Sequence, residues 1–175
     1  MSWTDVAATL WFFLPAFVAN QCPGLAAHFR MPGRISVSRS YLGENKTLDA
    51  YPAGILGAIV TFAMQQALPE INIHIGWYVT QDFSAICAIG TLFGLGAILG
   101  DHAESFVKRR LGKPPGTVWW PWDSVDFAIG ALICIYPISG WIGWDRICLL
   151  LFVAVALHPL VNWIGWRLGI RNQWL

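Results

Sequence analysis

Charged side chains gather directly after a long apolar segment, in the stretch GDHAESFVKRRLG at 100–112. Four polar residues there follow one another at i, i+3, i+4 and i+7, so a helix would carry them all on one face. These four are Asp101, Glu104, Ser105 and Lys108. Carboxylate oxygens suit a hard cation such as Mg²⁺, and neighbouring bases suit phosphate groups. The spacing therefore indicates a site at which a metal and a polyphosphate could meet.

A second pair of acids opens the next apolar run, in VWWPWDSVDFAIG at 118–130. Asp123 could cap a helix that begins there. Asp126 lies inside the run, where a carboxylate is costly in lipid and usually indicates function. Acids for a metal and bases for phosphates, gathered on one side of a membrane, predict phosphoryl or nucleotidyl transfer to a lipid.

The composition indicates that lipid surrounds most of the chain. Of 175 residues, 56% are hydrophobic and only 12% are charged, whereas about 25% are charged in an average soluble domain. A single membrane-embedded domain over 1–175 is the natural interpretation of this length. The N-terminal apolar run lacks a basic start and contains Asp5, which predicts a retained span and no cleavable signal peptide.

Five apolar stretches approach the roughly 20 helical residues that cross a bilayer. They lie at 6–27, 53–68, 83–100, 125–144 and 147–166. The first is interrupted by Pro15 and Pro23, and only Asp145 and Arg146 separate the last two, which predicts a tight helical hairpin. The predicted fold is an all-α integral membrane protein with about five transmembrane helices.

Basic residues set the predicted orientation, because they stay on the cytoplasmic side of a membrane. They cluster in two loops, at about 28–52 and 101–124, and after the fifth span, whereas Arg146 alone falls on the other side. This distribution predicts an outside N-terminus, a cytoplasmic C-terminus and two functional cytoplasmic loops. The protein would lie in the cell membrane, with a site that faces the cytoplasm.

Two further segments have structural interpretations. The third span carries Gly90, Gly94, Gly96 and Gly100, and such small residues let helices pack closely, either within the chain or in a homodimer. The segment INIHIGWYV at 71–79 alternates in polarity and carries Trp77 and Tyr78 near its end. It is predicted to be an extended segment at the membrane interface.

The charged motifs together resemble the signature of the CDP-archaeol synthases. These are the archaeal-type branch of the membrane CTP-dependent lipid cytidylyltransferases, which also include the CDP-diacylglycerol synthases. The likeness is carried by GDHAESFVKRRLGKPPG and WDSVDFAIGA, and extends to LPAFVANQCP at 14–23, LGENKTLDAY at 42–51 and the final segment at 157–175. Two departures are Ser124, where the family often has Gln, and 48–50, where it commonly has Trp-Arg-Gly.

The resemblance implies that a lipid phosphate attacks the α-phosphate of CTP, giving a CDP-lipid and pyrophosphate. In the family the lipid is 2,3-bis-geranylgeranyl-glycerol-1-phosphate, an unsaturated archaeal-type ether. CTP, the lipid phosphate, the bilayer and Mg²⁺ are therefore the expected partners. No nucleic acid is expected among them, and a homodimer is an open alternative.

The residues and the resemblance together assign candidate roles. Three acids would hold the metal, namely Asp101, Asp123 and Asp126, and with Lys108 they form the candidate catalytic set. The candidate substrate-binding residues are Arg109, Arg110, Ser105, Lys46, Thr47, Arg39, Asn20 and Asn162. For Asn20, His158 and Asn162, helix packing and function are both open, because polar groups inside a membrane often join helices. Asn162, nearer the cytoplasmic end, is the better candidate of the last two.

Other functions fit parts of the pattern. A CTP-dependent polyprenol kinase or a CDP-diacylglycerol synthase would use similar side chains. A small channel or transporter would instead use the intramembrane proline, asparagine and histidine residues, but the acids cluster at one end of the spans. A purely structural membrane protein would leave the acid pairs unexplained.

Overall fold

A computed structural model describes residues 1–30, 32, 34–68, 71, 80 and 82–170. The helices over these residues are α1 (Trp3–His28), α2 (Ala50–Gln66), α3 (Phe83–Arg110), α4 (Trp122–Ser139) and α5 (Trp144–Arg167). Within the described part the only strand-like pairing is an isolated bridge between Ser36 and Thr47. The all-helical fold predicted from the sequence is therefore confirmed.

Four of these helices, α1, α3, α4 and α5, are long and apolar enough to cross a membrane. α2 has 17 residues, about 25 Å at 1.5 Å per residue, and is shorter than a hydrocarbon core of about 30 Å. α1 runs without a break through Pro15 and Pro23, as helices in lipid often do. The predicted interfacial segment at 71–79 lies outside the described residues, apart from Ile71.

The prediction for the turn between the last two helices is wrong. α4 ends at Ser139, and residues 140–143 form the turn. Gly140 and Gly143 both have a positive φ, 63° and 94°, which glycine adopts without a steric penalty. Asp145 and Arg146 instead belong to the first turn of α5, and Arg146 lies 3.8 Å from Asp5 at the start of α1.

Glycines hold α3 between α2 and α4. A Cβ added at Gly90 or Gly94 would overlap the α2 backbone, and one added at Gly96 or Gly100 would overlap the α4 backbone. Gly130 of α4 meets α3 in the same way. The packing alternative is therefore the one that the structure shows for these glycines, and backbones approach closely where only small residues allow it.

The helix ends bring two loops together at one end of the bundle. The loop before α2 reaches the loop before α4, where a Cβ added at Gly43 would lie 3.4 Å from Pro115. Below this end, Phe12 and Phe13 of α1 pack edge-on against Phe93 of α3, with ring centroids 5.1 Å and 5.9 Å apart. Such aromatic contacts stabilise the bundle beyond their buried area.

Candidate active site

The loop before α2 is folded so that Lys46 points at α3. The backbone N–H of Val37 donates to the carbonyl of Lys46, and that of Leu48 donates to the carbonyl of Ile35, each at 2.8 Å. These bonds fix the backbone on both sides of the lysine. Its ammonium nitrogen lies 2.6 Å from each carboxylate oxygen of Asp101, a residue 55 positions away.

The charge of Lys46 is stabilised by its surroundings. Burial alone would lower the pKa of this ammonium group, but the adjacent Asp101 carboxylate outweighs burial and holds the pKa above its ordinary value. The pKa is also raised by the charges of Asp126 and Glu104. Lys46 therefore stays positively charged at neutral pH, as a group that binds phosphate must.

A second cluster of charges joins α3 to the start of α4. The Lys108 ammonium lies 2.6 Å from a carboxylate oxygen of Asp123 and 3.3 Å from one of Glu104. Asp123 does not cap α4, whose N-cap position is Pro121. Its second oxygen instead accepts a hydrogen bond from the backbone N–H of Trp119 at 2.5 Å. Lys108 is only 7% exposed, and such buried charges are stable only when they are paired.

Asp126 lies one turn into α4, beneath both clusters. One of its carboxylate oxygens accepts a hydrogen bond from the backbone N–H of Phe127 at 2.6 Å. The carboxylates of Asp126 and Asp101 are close enough to interact electrostatically. Since the backbone of Asp126 rests on Gly100, the close contact of α3 and α4 sets the separation of these two acids.

These side chains surround one polar cavity of about 300 Å³. Eight of the twelve candidate catalytic and substrate-binding residues line it, including all three proposed metal ligands. They are Asn20, Lys46, Asp101, Ser105, Lys108, Arg109, Asp123 and Asp126. The helical face predicted for α3 is therefore confirmed, because its four members, Glu104 included, all line the cavity.

Arg109 carries unused hydrogen-bond donors at this cavity. Its Nε and Nη1 atoms are buried and have no hydrogen-bond partner among the described residues. Buried guanidinium nitrogens without an acceptor are unfavourable, and the planar fork of donors of an arginine matches phosphate oxygens. The cavity is thus suited to an anionic ligand.

Comparison with known proteins identifies the family. The family profile described as CarS-like: CDP-archaeol synthase matches residues 4–175. This chain belongs to that family. Its similar relatives include the CDP-archaeol synthase of Methanopyrus kandleri, 32% identical over an alignment of 142 residues that covers 79% of this chain and 75% of that protein. The CDP-archaeol synthase of Pyrococcus horikoshii is 31% identical over 145 residues, 79% of each chain.

A solved structure agrees with this assignment. It is described as an intramembrane enzyme for archaeal membrane lipids biosynthesis, and it is 27% identical with a TM-score of 0.71. The similarity covers 90% of this chain and 94% of that one. The protein is therefore a CTP-dependent lipid phosphate cytidylyltransferase that forms a CDP-lipid, and a multi-pass membrane protein.

Four candidate residues of the cytidylyltransferase lie outside the lining of its cavity. The Arg110 guanidinium lies 5.0 Å from the ring centre of Tyr41 and 5.1 Å from that of Phe106. Thr47 is buried in the bridge with Ser36, and Arg39 is exposed. Asn162 is 8% exposed and is not among the lining residues.

The preference for Asn162 over His158 is not supported by the geometry, since His158 lines the cavity. The sequence predicts that α5 reaches the site at Asn162. The cavity instead contacts α5 at His158, one helical turn further into the bundle and close to Asn20 of α1. His158 and Asn162 lie four residues apart, and only the deeper of the two reaches this level.

Sequence reasoning gave no site role to several lining residues of the enzyme. Asn45 and the loop at 115–118 form part of the cavity wall. Asn45 directly precedes the candidate residue Lys46, and this position in the sequence is a signal from which its place at the site could have been predicted. Nothing in the composition of the loop at 115–118 shows that it folds back over the cavity.

Two apolar grooves open from the polar cavity. The first, the α3–α4 groove, has a volume of about 600 Å³ and shares Glu104 and Asp126 with the cavity. The second, the α1–α5 groove, has a volume of about 400 Å³ and shares Asn20 and His158 with it. Each groove therefore leads from apolar helix surfaces directly to the charged site.

Proposed function

We propose that this enzyme transfers CMP from CTP to an unsaturated archaeal-type lipid phosphate, 2,3-bis-geranylgeranyl-glycerol-1-phosphate, and releases pyrophosphate. A phosphate oxygen of the lipid forms a bond to the α-phosphorus of CTP, and the bond from that phosphorus to the pyrophosphate oxygen breaks. The single observation that carries this proposal is the cavity in which three aspartates and three bases meet. The name of the relatives, CDP-archaeol synthase, supports the choice of lipid.

The bases of the cavity bind and align the reacting phosphates. Lys46, Lys108 and Arg109 approach the cavity from the loop before α2 and from the end of α3. The attacking phosphate is already anionic, so no strong general base is needed. The main work of the site is to bring two anions together and to stabilise the charge that forms on the leaving pyrophosphate.

Mg²⁺ fits the donors of this cavity as a cofactor that arrives with the nucleotide. Within the described part of the chain, no group of three or more His, Cys, Asp and Glu residues is arranged to hold a metal by itself. Mg²⁺ commonly binds through one or two carboxylates together with substrate phosphates and water. Asp101, Asp123 and Asp126 would hold it directly or through water. The bound ion would neutralise phosphate charge and so reduce the repulsion between the two substrates.

The cavity of the enzyme faces the cytoplasm in this proposal, with the N-terminus outside and the C-terminus inside. Support comes from the basic residues, which lie at the cavity end of the bundle, on the loop before α2 and on α3. Lys and Arg near spans remain on the cytoplasmic side. CTP would then enter from the cytosol, whereas the lipid phosphate would enter from the membrane.

Two labels on CTP test the reaction. Purified protein is incubated with Mg²⁺, the archaeal-type lipid phosphate and CTP that carries ³²P at either the α or the γ position. Transfer of CMP puts only the α label into the lipid and releases pyrophosphate, whereas a kinase would put only the γ label into a lipid. No α label in any lipid, with a folded protein, would contradict the proposal.

The acceptor is tested in the same assay. Competition between the archaeal-type ether and a diacyl phosphatidic acid should favour the ether. A preference for the diacyl lipid would keep the reaction but replace the substrate with that of a CDP-diacylglycerol synthase. The Asp101→Asn variant provides the blank, because it lacks one of the carboxylates at the site, and its thermal unfolding in detergent checks that it is folded.

A further inference from the structure

The loop before α2 reaches α3 through Tyr41 as well as through Lys46. The ring of Tyr41 stacks on that of Phe106, with 6.4 Å between the centroids and 26° between the planes. The guanidinium of Arg110 lies against both rings, 5.0 Å from the centroid of Tyr41 and 5.1 Å from that of Phe106. A cation at this distance from a ring is attracted to its face.

We propose that Arg110 is a positioning residue for nucleotide binding, because it holds Tyr41 on α3 and thereby keeps Lys46 at the polar cavity. This inference rests on the proposed function, in which Lys46 binds the triphosphate of CTP. It gives Arg110 a role in the reaction without contact to the substrate.

The geometry of α3 directs Arg109 and Arg110 to different surroundings. Successive residues of an α-helix point about 100° apart. Arg109 lines the cavity, whereas Arg110 does not and is exposed. Phe106 precedes Arg110 by about one turn of the same helix, so its ring can orient the guanidinium locally. The contact with Tyr41 is therefore the part of this cluster that joins two elements.

Hydrogen bonds within the loop connect the position of Tyr41 to that of Lys46. The backbone N–H of Gly43 donates to the carbonyl of Ser38 at 3.1 Å, which closes a tight turn around Tyr41. The Ser36 hydroxyl donates to the carbonyl of Gly43, also at 3.1 Å. The residue after Ser36 donates its backbone N–H to the carbonyl of Lys46 at 2.8 Å. A displacement of Tyr41 would therefore be transmitted along these bonds to Lys46.

The loop buries little apolar surface that could hold it in place. Four of its large apolar side chains are exposed, namely Ile35, Val37, Tyr41 and Leu48. A segment with few buried apolar contacts opens easily. Individual ring and charge contacts to α3 therefore have a large influence on where this loop lies.

Three substitutions test the cluster. Arg110→Gln removes the cation, Tyr41→Leu removes the ring, and Tyr41→Phe keeps the ring. Arg167→Gln is the matched control, because Arg167 also lies over two rings, 5.3 Å from the centroid of Trp163 and 5.7 Å from that of Trp166. Both of those rings belong to its own helix, and Arg167 does not line the cavity. Thermal unfolding in detergent checks that each variant is folded.

KM for CTP is measured at saturating lipid. Arg110→Gln and Tyr41→Leu should each raise it about fivefold, or about 1 kcal/mol, the usual strength of an exposed contact between a cation and a ring. The value of kcat should change less than about twofold, as should KM in Tyr41→Phe and Arg167→Gln. In the Lys46→Gln background, Arg110→Gln should hardly change KM further, because the lysine that it positions is already absent.

The position of the loop is measured separately, by trypsin cleavage after Arg34 and Arg39, which are both exposed on it. Cleavage should be several-fold faster in Arg110→Gln and Tyr41→Leu than in the unaltered protein or in Arg167→Gln, because a released loop opens more often. This measurement needs no CTP. Absence of CMP transfer in the unaltered protein would refute the proposed function, while the cleavage rates would still decide whether Arg110 holds the loop.

Three results would overturn the inference. Unchanged KM and cleavage in Arg110→Gln and Tyr41→Leu would show that the cluster does not position the loop. A fivefold increase in KM on adding Arg110→Gln to Lys46→Gln would show that Arg110 acts independently of Lys46, as a direct contact to the triphosphate would. An effect of Arg110→Gln without one of Tyr41→Leu would exclude the ring as its partner. If Arg110→Gln does not fold, Tyr41→Leu decides, since it alters an exposed side chain.

Discussion

The α3–α4 pair and α5 face each other across the polar cavity and are built in different ways. α3 and α4 touch through backbone at Gly96, Gly100 and Gly130, and they carry all three aspartates of the site. α5 buries only Leu150, Ala154, Asn162 and Gly165 along its length. Most of its remaining side chains face outward.

This difference fits the two tasks that the proposed reaction requires. Transfer of CMP between two phosphates needs acids and bases held at fixed separations, and close contact between the backbones of α3 and α4 provides them. A hydrocarbon chain needs only an apolar surface of suitable width, which a loosely packed helix provides. We therefore expect changes on the α3–α4 side to affect the reaction itself, and changes on the α5 side to affect the choice of lipid.

Removal of divalent metal should have the largest effect. Chelation with EDTA is expected to reduce CMP transfer to background, because the phosphates would then repel one another and the aspartates. Excess Mg²⁺ should restore the rate, and the thermal unfolding temperature of the protein should hardly change. Full turnover in EDTA would exclude the proposed role of the α3–α4 acids in binding a metal.

The Asp123→Asn variant should have the second-largest effect on CMP transfer. It removes a charge from the cavity and should lower kcat by about 10²–10³-fold, the usual effect of losing one group that stabilises transition-state charge. Asp145→Asn is the matched control, since Asp145 also lies in the first turn of its helix but outside the cavity. Equal kcat values for the two variants would show that an acid of the α3–α4 pair matters no more to the reaction than an acid on α5.

The Lys46→Gln variant should have a smaller effect, mainly on nucleotide binding. Loss of one charge-assisted contact to phosphate should raise KM for CTP about tenfold. Lys113→Gln is the control, because Lys113 lies over the ring of Trp119, 5.6 Å from its centre, and does not line the cavity. Steady-state kinetics at saturating lipid measures KM for CTP in both variants. An unchanged KM for Lys46→Gln would contradict the placement of Lys46 at the triphosphate.

The Gly100→Ala variant tests the packing that positions the acids. Its methyl group would overlap the backbone oxygen of Asp126, so the free energy of unfolding should fall by about 1–3 kcal/mol. Gly24→Ala is the control, because a Cβ there has no neighbour within 4 Å. Denaturation in detergent measures both, and equal stabilities would show that the α3–α4 contact is not tight.

Local features of this fold could be predicted from the sequence, because they depend on spacing along one helix. The face of α3 that carries Asp101 and Lys108 follows from helical periodicity alone. The pairing of Lys46 with Asp101 spans 55 residues, and no local pattern indicates it. The basic residues predict that the loop before α2 is functional, and the family resemblance singles out Lys46 within it.

Other features depended on turns that composition does not reveal. The sequence predicts a break between α4 and α5 at Asp145 and Arg146, whereas the chain turns at Gly140 and Gly143, where the backbone is left-handed. The wall at 115–118 arises because the loop folds back against the segment around Gly43. The depth at which the cavity meets α5 likewise depends on how α1 and α5 are aligned, so His158 could not be distinguished from Asn162.

The most direct test of the central claim is a structure of the protein with Mn²⁺ and a CTP analogue that carries a methylene group between its α- and β-phosphates. The account predicts an anomalous Mn²⁺ peak in the polar cavity, in contact directly or through water with Asp101, Asp123 or Asp126, and phosphates that contact Lys46, Lys108 or Arg109. Metal and nucleotide bound at another surface, with this cavity empty, would contradict it.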